Sequence, residues 1–177
     1  MATTTLKYAS TVSSTIQNVS RIEDDDDSKA LADDIDENFI IELTNLPSNV
    51  ASINSVQYKL GANCTLGSAV AIFTIEILDG SNSQYFSEFE AIGVGTSEET
   101  ETGTVRATDG SSAWTESTVN AIRLKGTFTA RSAATNLEID YVHLLVDYEA
   151  LPPTAGLIKL NSGLVTLNSG MVKMIGT

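Results

Sequence analysis

Apolar and polar residues alternate along much of the chain between residues 38 and 148, the pattern of strands with one buried face. The alternation is clear in five segments and weaker in 84–92 and 101–108, and turn residues separate the segments. Seven or eight such strands predict an antiparallel β-sandwich of the jelly-roll kind. The positions predicted to build its core are Phe39, Ile41, Tyr58, Leu60, Phe73, Ile75, Ile77, Leu124, Phe128, Val142, Leu144 and Val146.

Turn residues and composition divide the chain into three parts. Residues 1–36 are polar, include the acidic run Asp24–Asp27, and are predicted to form an extended N-terminal arm. Residues 37–149 are predicted to form the sandwich, in which Gly61 ends one strand and Asp79–Asn82 makes a hairpin turn. Pro152 and Pro153 then open a C-terminal tail, residues 150–177, because proline does not continue a sheet interior.

The tail contains a repeat of seven residues, in which Gly, two apolar residues, Lys or Thr, and a further apolar residue recur. A coiled coil is disfavoured because each glycine costs about 1 kcal/mol relative to alanine in a helix. The repeat therefore predicts strands, either continuously extended or folded by a turn at each heptad. We expect the tail to assemble with a neighbouring subunit, the alternative being that it covers an edge of its own sandwich. The apolar residues predicted to act in assembly are Leu157, Ile158, Leu160, Leu164, Val165, Leu167, Met171, Val172 and Met174.

The charge of the chain excludes some partners. With 23 acidic against 10 basic residues, the net charge is −13, and no cluster of Lys or Arg offers a surface for nucleic acid. No run approaches the ~20 apolar residues that cross a bilayer. The start of the sequence lacks the apolar segment of a signal peptide, so we expect synthesis in the cytoplasm.

The residues from which enzyme sites are commonly built are scarce. His143 is the one histidine and Cys64 the one cysteine, so there are too few ligands for zinc and no nucleophile motif. We therefore expect no catalytic activity and no cofactor. Trp114 is expected to plug one end of the sandwich, the alternative being a platform on which a sugar ring stacks. Oxygen ligands in the acidic run leave a bound cation as an alternative to a solvated segment.

Residues 22–148 resemble the jelly-roll-like domains of structural proteins in tailed bacteriophages. An Asp-rich lead-in is followed by Ser52–Tyr58, by Phe73–Gly80 ending in Asp-Gly, by Trp114, by Asn120–Leu124 and by the closing segment Ile139–Tyr148. The resemblance implies a virion structural role, in head decoration, neck, tail or fibre. The heptad repeat is not part of this pattern.

Two classes of function follow from these observations, and a third, a polysaccharide-cleaving enzyme, would need two close carboxylates in a cleft. The first is a phage virion protein, a capsid decoration (cement) or tail-associated subunit, in contact with other virion proteins and forming a homo-oligomer such as a trimer. The second is a carbohydrate-binding module or receptor-binding domain with the same fold. Burial of Trp114 favours the first class, whereas an exposed Trp114 favours the second.

Overall fold

The computed structural model describes residues 1–23, 29–92 and 96–152, together with the backbone of three strands between residues 157 and 174. The described residues up to 152 form two antiparallel sheets, which confirms the β-sandwich prediction. The first sheet contains five strands: β1 (Ala2–Leu6), β3 (Ala30–Ala32), β5 (Val50–Cys64), β8 (Glu99–Thr102) and β10 (Leu137–Ala150). Their order in the sheet is β1-β10-β5-β8, and β3 also pairs with β10. The second sheet contains β2 (Tyr8–Ser14), β4 (Asn38–Leu43), β6 (Ala71–Leu78), β7 (Gln84–Ile92) and β9 (Arg123–Arg131). Their order in the sheet is β2-β4-β9-β6-β7.

The core lies between the two sheets, and all twelve residues predicted for it are buried. Alternation of buried and partly exposed positions is most regular in β4 and β9, where every second residue is apolar and faces the opposite sheet. At the centre the rings of Phe39 and Phe73 lie 5.9 Å apart over Gly126. Period-two patterning therefore identifies the central residues of this core.

The N-terminal segment differs from the predicted arm, because it is built into both sheets. β1 pairs with β10, so that Leu6 lies opposite Leu144, and β2 pairs with β4. A turn of 3₁₀ helix, Val19–Arg21, leads towards β3, and Ile16 and Ile22 are buried beside it. The sandwich therefore begins at residue 2 and not at residue 37. The acidic run Asp24–Asp27 lies outside the described residues.

Strand β5 also differs from its prediction, since it continues through Gly61 to Cys64. Gly61 pairs with Tyr141 on β10, and a Cβ atom at this position would lie 2.4 Å from the Tyr141 ring. The glycine therefore makes room for a tyrosine on the neighbouring strand and does not mark a turn.

The turn between β6 and β7 is the hairpin that the sequence predicts. Asp79 Oδ1 accepts hydrogen bonds from the backbone N–H groups of Ser81 and Ser83, at 2.8 Å each. Asn82 adopts the left-handed conformation, with φ of 67°, which asparagine tolerates better than most residues. Side chain and backbone thus both favour the reversal of the chain here.

Candidate assembly surface and buried polar network

The C-terminal heptads form a three-stranded antiparallel meander from β11 (Leu157–Leu160), β12 (Gly163–Asn168) and β13 (Met171–Met174). Leu160 pairs with Gly163 and Asn168 pairs with Met171, so each connection is two residues long, the length of the tightest common hairpins. Two geometries were predicted for the repeat, continuously extended or folded at each heptad, and the meander is the folded one. Assembly of this segment with a neighbour stays a prediction.

The register of the meander sorts its residues onto two faces, because facing residues of an antiparallel ladder lie on the same side of the sheet. Besides Gly163, one side holds six positions, all occupied by apolar residue types, and we call it the apolar face: Ile158, Leu160, Val165, Leu167, Val172 and Met174. The opposite side is the mixed face: Leu157, Lys159, Leu164, Thr166, Asn168, Met171 and Lys173. Six of the nine predicted assembly residues therefore share one side, and three lie among polar residues.

The two-residue connections explain why the repeat is seven residues long. In a continuous strand, an odd period moves equivalent residues to alternate faces. Here the chain reverses within each heptad, and the equivalent residues Ile158, Val165 and Val172 fall on the same face. The repeat length and the turn spacing together produce a sheet with one uniformly apolar side.

Charge is distributed unevenly between the sandwich and the tail. All 23 acidic residues precede residue 150, so residues 1–152, with eight basic residues, carry a net charge of −15. Residues 153–177 contain Lys159 and Lys173 as their charged side chains, one on each outer strand of the meander. The tail is thus a small basic element attached to an acidic sandwich.

Trp114 is buried and is not available as a stacking platform, which corrects the alternative role considered for it. Its side chain is 4% exposed, and its indole N–H donates to the carbonyl oxygen of Arg106 at 2.9 Å. The Trp114 ring packs edge-on against Tyr85, with ring centroids 5.5 Å apart, and its centroid lies 6.4 Å from that of Phe86. Helix α1 (Glu116–Asn120) follows directly, capped by Thr115. Trp114 therefore closes the sandwich beside the start of β7, as the structural alternative predicted.

The residue types of a nucleophile–base pair are present but lie apart. Cys64 pairs with Leu137 at one end of β10, whereas His143 lies six residues further along that strand, roughly 20 Å away. Burial raises the pKa of the Cys64 thiol, and His143 stacks on Tyr141 with ring centroids 4.8 Å apart. Among the described residues, no group of three or more His, Cys, Asp or Glu side chains is arranged to hold a metal ion.

A half-buried polar network, which the sequence pattern does not predict, joins the two sheets at strand β7. Glu88 and Glu90 lie on the inward side of this strand, where apolar residues are expected. The Tyr58 hydroxyl donates a hydrogen bond to Glu90. Arg106 forms an ion pair with Glu88, which also accepts from the backbone N–H of Thr104 at 2.8 Å. The network replaces apolar packing along this strand.

The surroundings of the two glutamates in this network shift their pKa values in opposite directions. Burial raises the pKa of Glu90, and the neighbouring carboxylates of Glu101 and Glu88 raise it further. Burial also acts on Glu88, but hydrogen bonds from Thr104 and Arg106 outweigh it and hold the pKa of Glu88 below its ordinary value. Two neighbouring carboxyl groups with pKa values shifted in opposite directions are typical of acid–base sites and also of structural ion-pair networks.

A shallow polar depression of about 460 Å³ lies beside the 3₁₀ turn. The side chains that border it offer both hydrogen-bond donors and acceptors, and Lys29 is held in place by Asn63 Oδ1 at 2.7 Å. Asn63 in turn donates to Glu138 at 2.9 Å. The depression is lined by Asn18, Arg21, Lys29, Ala30, Leu31 and Glu138.

Comparison with known proteins identifies the fold. No protein-family model and no curated protein sequence matches the chain. Its fold is similar to that of truncated AlyQ, with CBM32 and alginate lyase domains, at a TM-score of 0.51 and 14% identity over 88% of this chain and 35% of that chain. The chain thus spans about a third of that structure.

Two further solved structures match with lower scores. One is the CBM36-1 domain of a multidomain xylanase from the hindgut metagenome of Trinervitermes trinervoides, at a TM-score of 0.47 and 10% identity over 85% of this chain and 100% of that domain. The other is the enzymatically active domain of tailspike protein 4 of bacteriophage CBA120, at a TM-score of 0.33 and 12% identity over 82% of this chain and 18% of that one. At such identities the likeness extends to the fold alone.

Proposed function

We propose that the chain is a structural subunit of a tailed-bacteriophage particle, a decoration or tail-associated protein without catalytic activity, which assembles through its C-terminal meander. The observation that carries this proposal is the apolar face, the side of the meander on which every position other than Gly163 is occupied by an apolar residue type. A face of this kind is unfavourable in water and favours association. The −15 charge of residues 1–152 keeps the sandwiches soluble.

The sandwich itself supports a structural role more than a ligand-binding role based on aromatic stacking. Its single tryptophan is buried, and Phe89, which is 73% exposed, lies on the outer side of β7. The Glu88–Glu90 pair borders neither the depression beside Arg21 nor a second depression beside Arg123. Its partners Tyr58 and Arg106 hold strand β7 against the opposite sheet, which is a structural use of charge.

The proposal is tested by asking whether the tail is needed for incorporation into the particle. Purified particles from a phage that carries the full gene should contain the protein at a fixed number of copies by quantitative mass spectrometry. Particles grown with a gene that ends at residue 152 should lack it, although the shortened protein accumulates in the cell. Absence of the full-length protein from purified particles, or equal incorporation of both forms, would contradict the proposal.

A second candidate function, glycan binding, is favoured by the polar depression beside the 3₁₀ turn. Its size is suitable for a small ligand, and the fixed position of Lys29 reduces the entropy lost on binding. A glycan array with the full chain would test it, with Arg21→Ala as the variant and Lys7→Ala as the charge-matched control. Retention of a glycan by the full chain and the control, but not by Arg21→Ala, would support this function. Absence of any retained glycan would contradict it.

A further inference from the structure

Three side chains of the first sheet bring together a primary amine, a carboxamide and a carboxylate. Lys29 Nζ donates a hydrogen bond to Asn63 Oδ1 at 2.7 Å, and Asn63 Nδ2 donates one to Glu138 Oε2 at 2.9 Å. We propose that this triad forms an intramolecular isopeptide bond, in which the Lys29 amine is joined to the side-chain carbonyl carbon of Asn63 and ammonia is released. The bond lies within the sandwich and forms whether or not the tail assembles.

The register of three strands places the triad in one part of the sheet. Glu138 on the central strand β10 pairs with Leu31 of β3 on one side and with Asn63 of β5 on the other. Facing residues of an antiparallel ladder lie on the same side of the sheet, so the side chains of Glu138 and Asn63 adjoin. Lys29 lies two residues before Leu31, and its long side chain reaches across the central strand to Asn63.

The lysine lies closer to the amide than to the carboxylate. Lys29 Nζ is 4.0 Å from Glu138 Oε2, whereas a direct charged hydrogen bond between such groups is about 2.7–2.9 Å long. The Asn63 amide lies between them, with its oxygen towards the amine and its nitrogen towards the carboxylate. Acyl transfer requires this arrangement, a nucleophile beside the carbonyl group and an acid–base group beside the leaving nitrogen.

The atoms that would form the bond are close together and shielded from water. The hydrogen bond to Oδ1 places Lys29 Nζ within about 3.9 Å of Asn63 Cγ, since a C=O bond is ~1.2 Å long. Reacting atoms begin from roughly 3–3.5 Å, so a small rotation of the lysine side chain is sufficient. Asn63 is 3% exposed, which protects its amide from hydrolysis. Lys29 and Glu138 border the depression beside the 3₁₀ turn, which gives ammonia a route to solvent.

Glu138 carries the protons in this reaction. Its carboxylate takes a proton from the Lys29 ammonium group, and the resulting neutral amine attacks Asn63 Cγ. The Cγ–Nδ2 bond then breaks as Nδ2 receives that proton. In total two protons pass from the lysine nitrogen to Nδ2, so the products are one amide N–H and an ammonium ion, and the Glu138 carboxylate is restored. The reaction occurs once per chain and consumes no oxidant, reductant or external substrate.

The bond ties a short strand to the body of the sheet. β3 pairs with β10 through three residues, and Lys29 directly precedes it. Joining Lys29 to Asn63, 34 positions further along the chain, lowers the conformational entropy of the unfolded state, as a disulfide does. A chain with one cysteine cannot form a disulfide within itself. The isopeptide bond therefore gives this sandwich a covalent link of another kind.

Mass spectrometry of the full chain tests the bond. The protein is measured intact, both fresh and after storage at neutral pH, and again after digestion with trypsin, which does not cleave after a lysine whose amine is acylated. We expect a mass lower than that of the sequence by one ammonia molecule, and a branched peptide that joins the segments holding Lys29 and Asn63. The matched control is Lys59→Arg, at a lysine of β5 that packs over the Tyr141 ring, and it should form the same branched peptide.

Lys29→Arg and Glu138→Gln should keep the full mass, because the first lacks the nucleophile and the second lacks the proton carrier. Circular dichroism shows whether both variants are folded. Recovery of Lys29 and Asn63 in separate linear peptides of the natural protein, before and after storage, would overturn the proposal. Loss of ammonia without a branched peptide would overturn it equally, since cyclisation of another asparagine produces the same loss. An unchanged yield of the branched peptide in Glu138→Gln would contradict the role assigned to Glu138.

Discussion

Gly126 lies where two phenylalanine rings meet in the middle of the sandwich. A Cβ atom at this position would lie 2.3 Å from the Phe73 ring and 2.5 Å from the Phe39 ring, and both rings are fully buried. The absence of a side chain at Gly126 thus allows the two rings to pack over the strand. The core depends on this space as much as on the apolar residues around it.

Gly126→Ala should therefore lower the free energy of unfolding by ~1–3 kcal/mol, because the added methyl group forces the buried rings to move. The matched control is Gly67→Ala, where the added atom would lie 3.8 Å from the Thr96 methyl group in ordinary contact. Urea denaturation should place the control within about 0.5 kcal/mol of the natural protein. Equal destabilisation by the two substitutions would contradict the packing described for the core.

Glu88 and Glu90 should give the protein two opposing pH dependences. The pKa of Glu90 is raised in the folded state, so its stabilising contribution is present below the unfolded pKa and is lost as pH rises. The pKa of Glu88 is lowered, so its contribution is present above the unfolded pKa and is lost as pH falls.

Substitution by glutamine should separate these two effects. Glu90→Gln should gain stability relative to the natural protein as pH rises from about 4 to about 7. Glu88→Gln should lose relative stability over the same interval, because the ion pair with Arg106 is absent. Urea midpoints at both pH values measure the differences. The same sign of change in both variants would show that the two carboxyls do not occupy the environments described.

At the scale of the element, the sequence predicted those strands whose apolar residues alternate over a sufficient length. β4, β6, β9 and β10 belong to this group, and β7 was predicted with the bounds that the structure gives it. β1 and β2 were missed because Ala, Thr and Ser occupy most of their positions, and Leu6 alone is fully apolar and buried in β1. The feature that could have predicted these two strands is the high β-propensity of threonine, which does not require hydropathy to alternate.

The candidate sites were predictable to different degrees for physical reasons. The heptad repeat predicted strands, but the assignment of residues to faces required the pairing register of the three strands. The Tyr58–Glu90 contact was not predictable, since it depends on two strands that are distant in sequence and belong to different sheets. Inward charges on an outer strand oppose the usual pattern and protect that strand from pairing with other chains.

The segment that carries Trp114 closes one side of the sandwich, and its removal should be costly. Trp114→Ala should lower the free energy of unfolding by ~3–5 kcal/mol, because a buried ring and its hydrogen bond to Arg106 are both lost. Phe89→Ala is the control, since this aromatic side chain is 73% exposed and should contribute within about 0.5 kcal/mol. A stable Trp114→Ala protein would contradict the structural role of Trp114.

At the scale of the whole molecule, we propose that the chain divides into a sandwich that folds by itself and a tail that associates. The buried residues of the sandwich core, among those that the structure describes, all lie between Leu6 and Tyr148. The charges divide in the same way, with every acidic residue before residue 150. Removal of the tail should therefore leave the sandwich folded and change its association.

Light scattering coupled to size exclusion tests this division most directly, with the full chain and a chain ending at residue 152 compared at equal, high micromolar concentrations. The full chain, of 18.8 kDa, should have a mass of two or more copies that rises with concentration. The shortened chain should elute as a folded monomer at every concentration. The same number of copies in both proteins would contradict the assignment of assembly to the C-terminal meander.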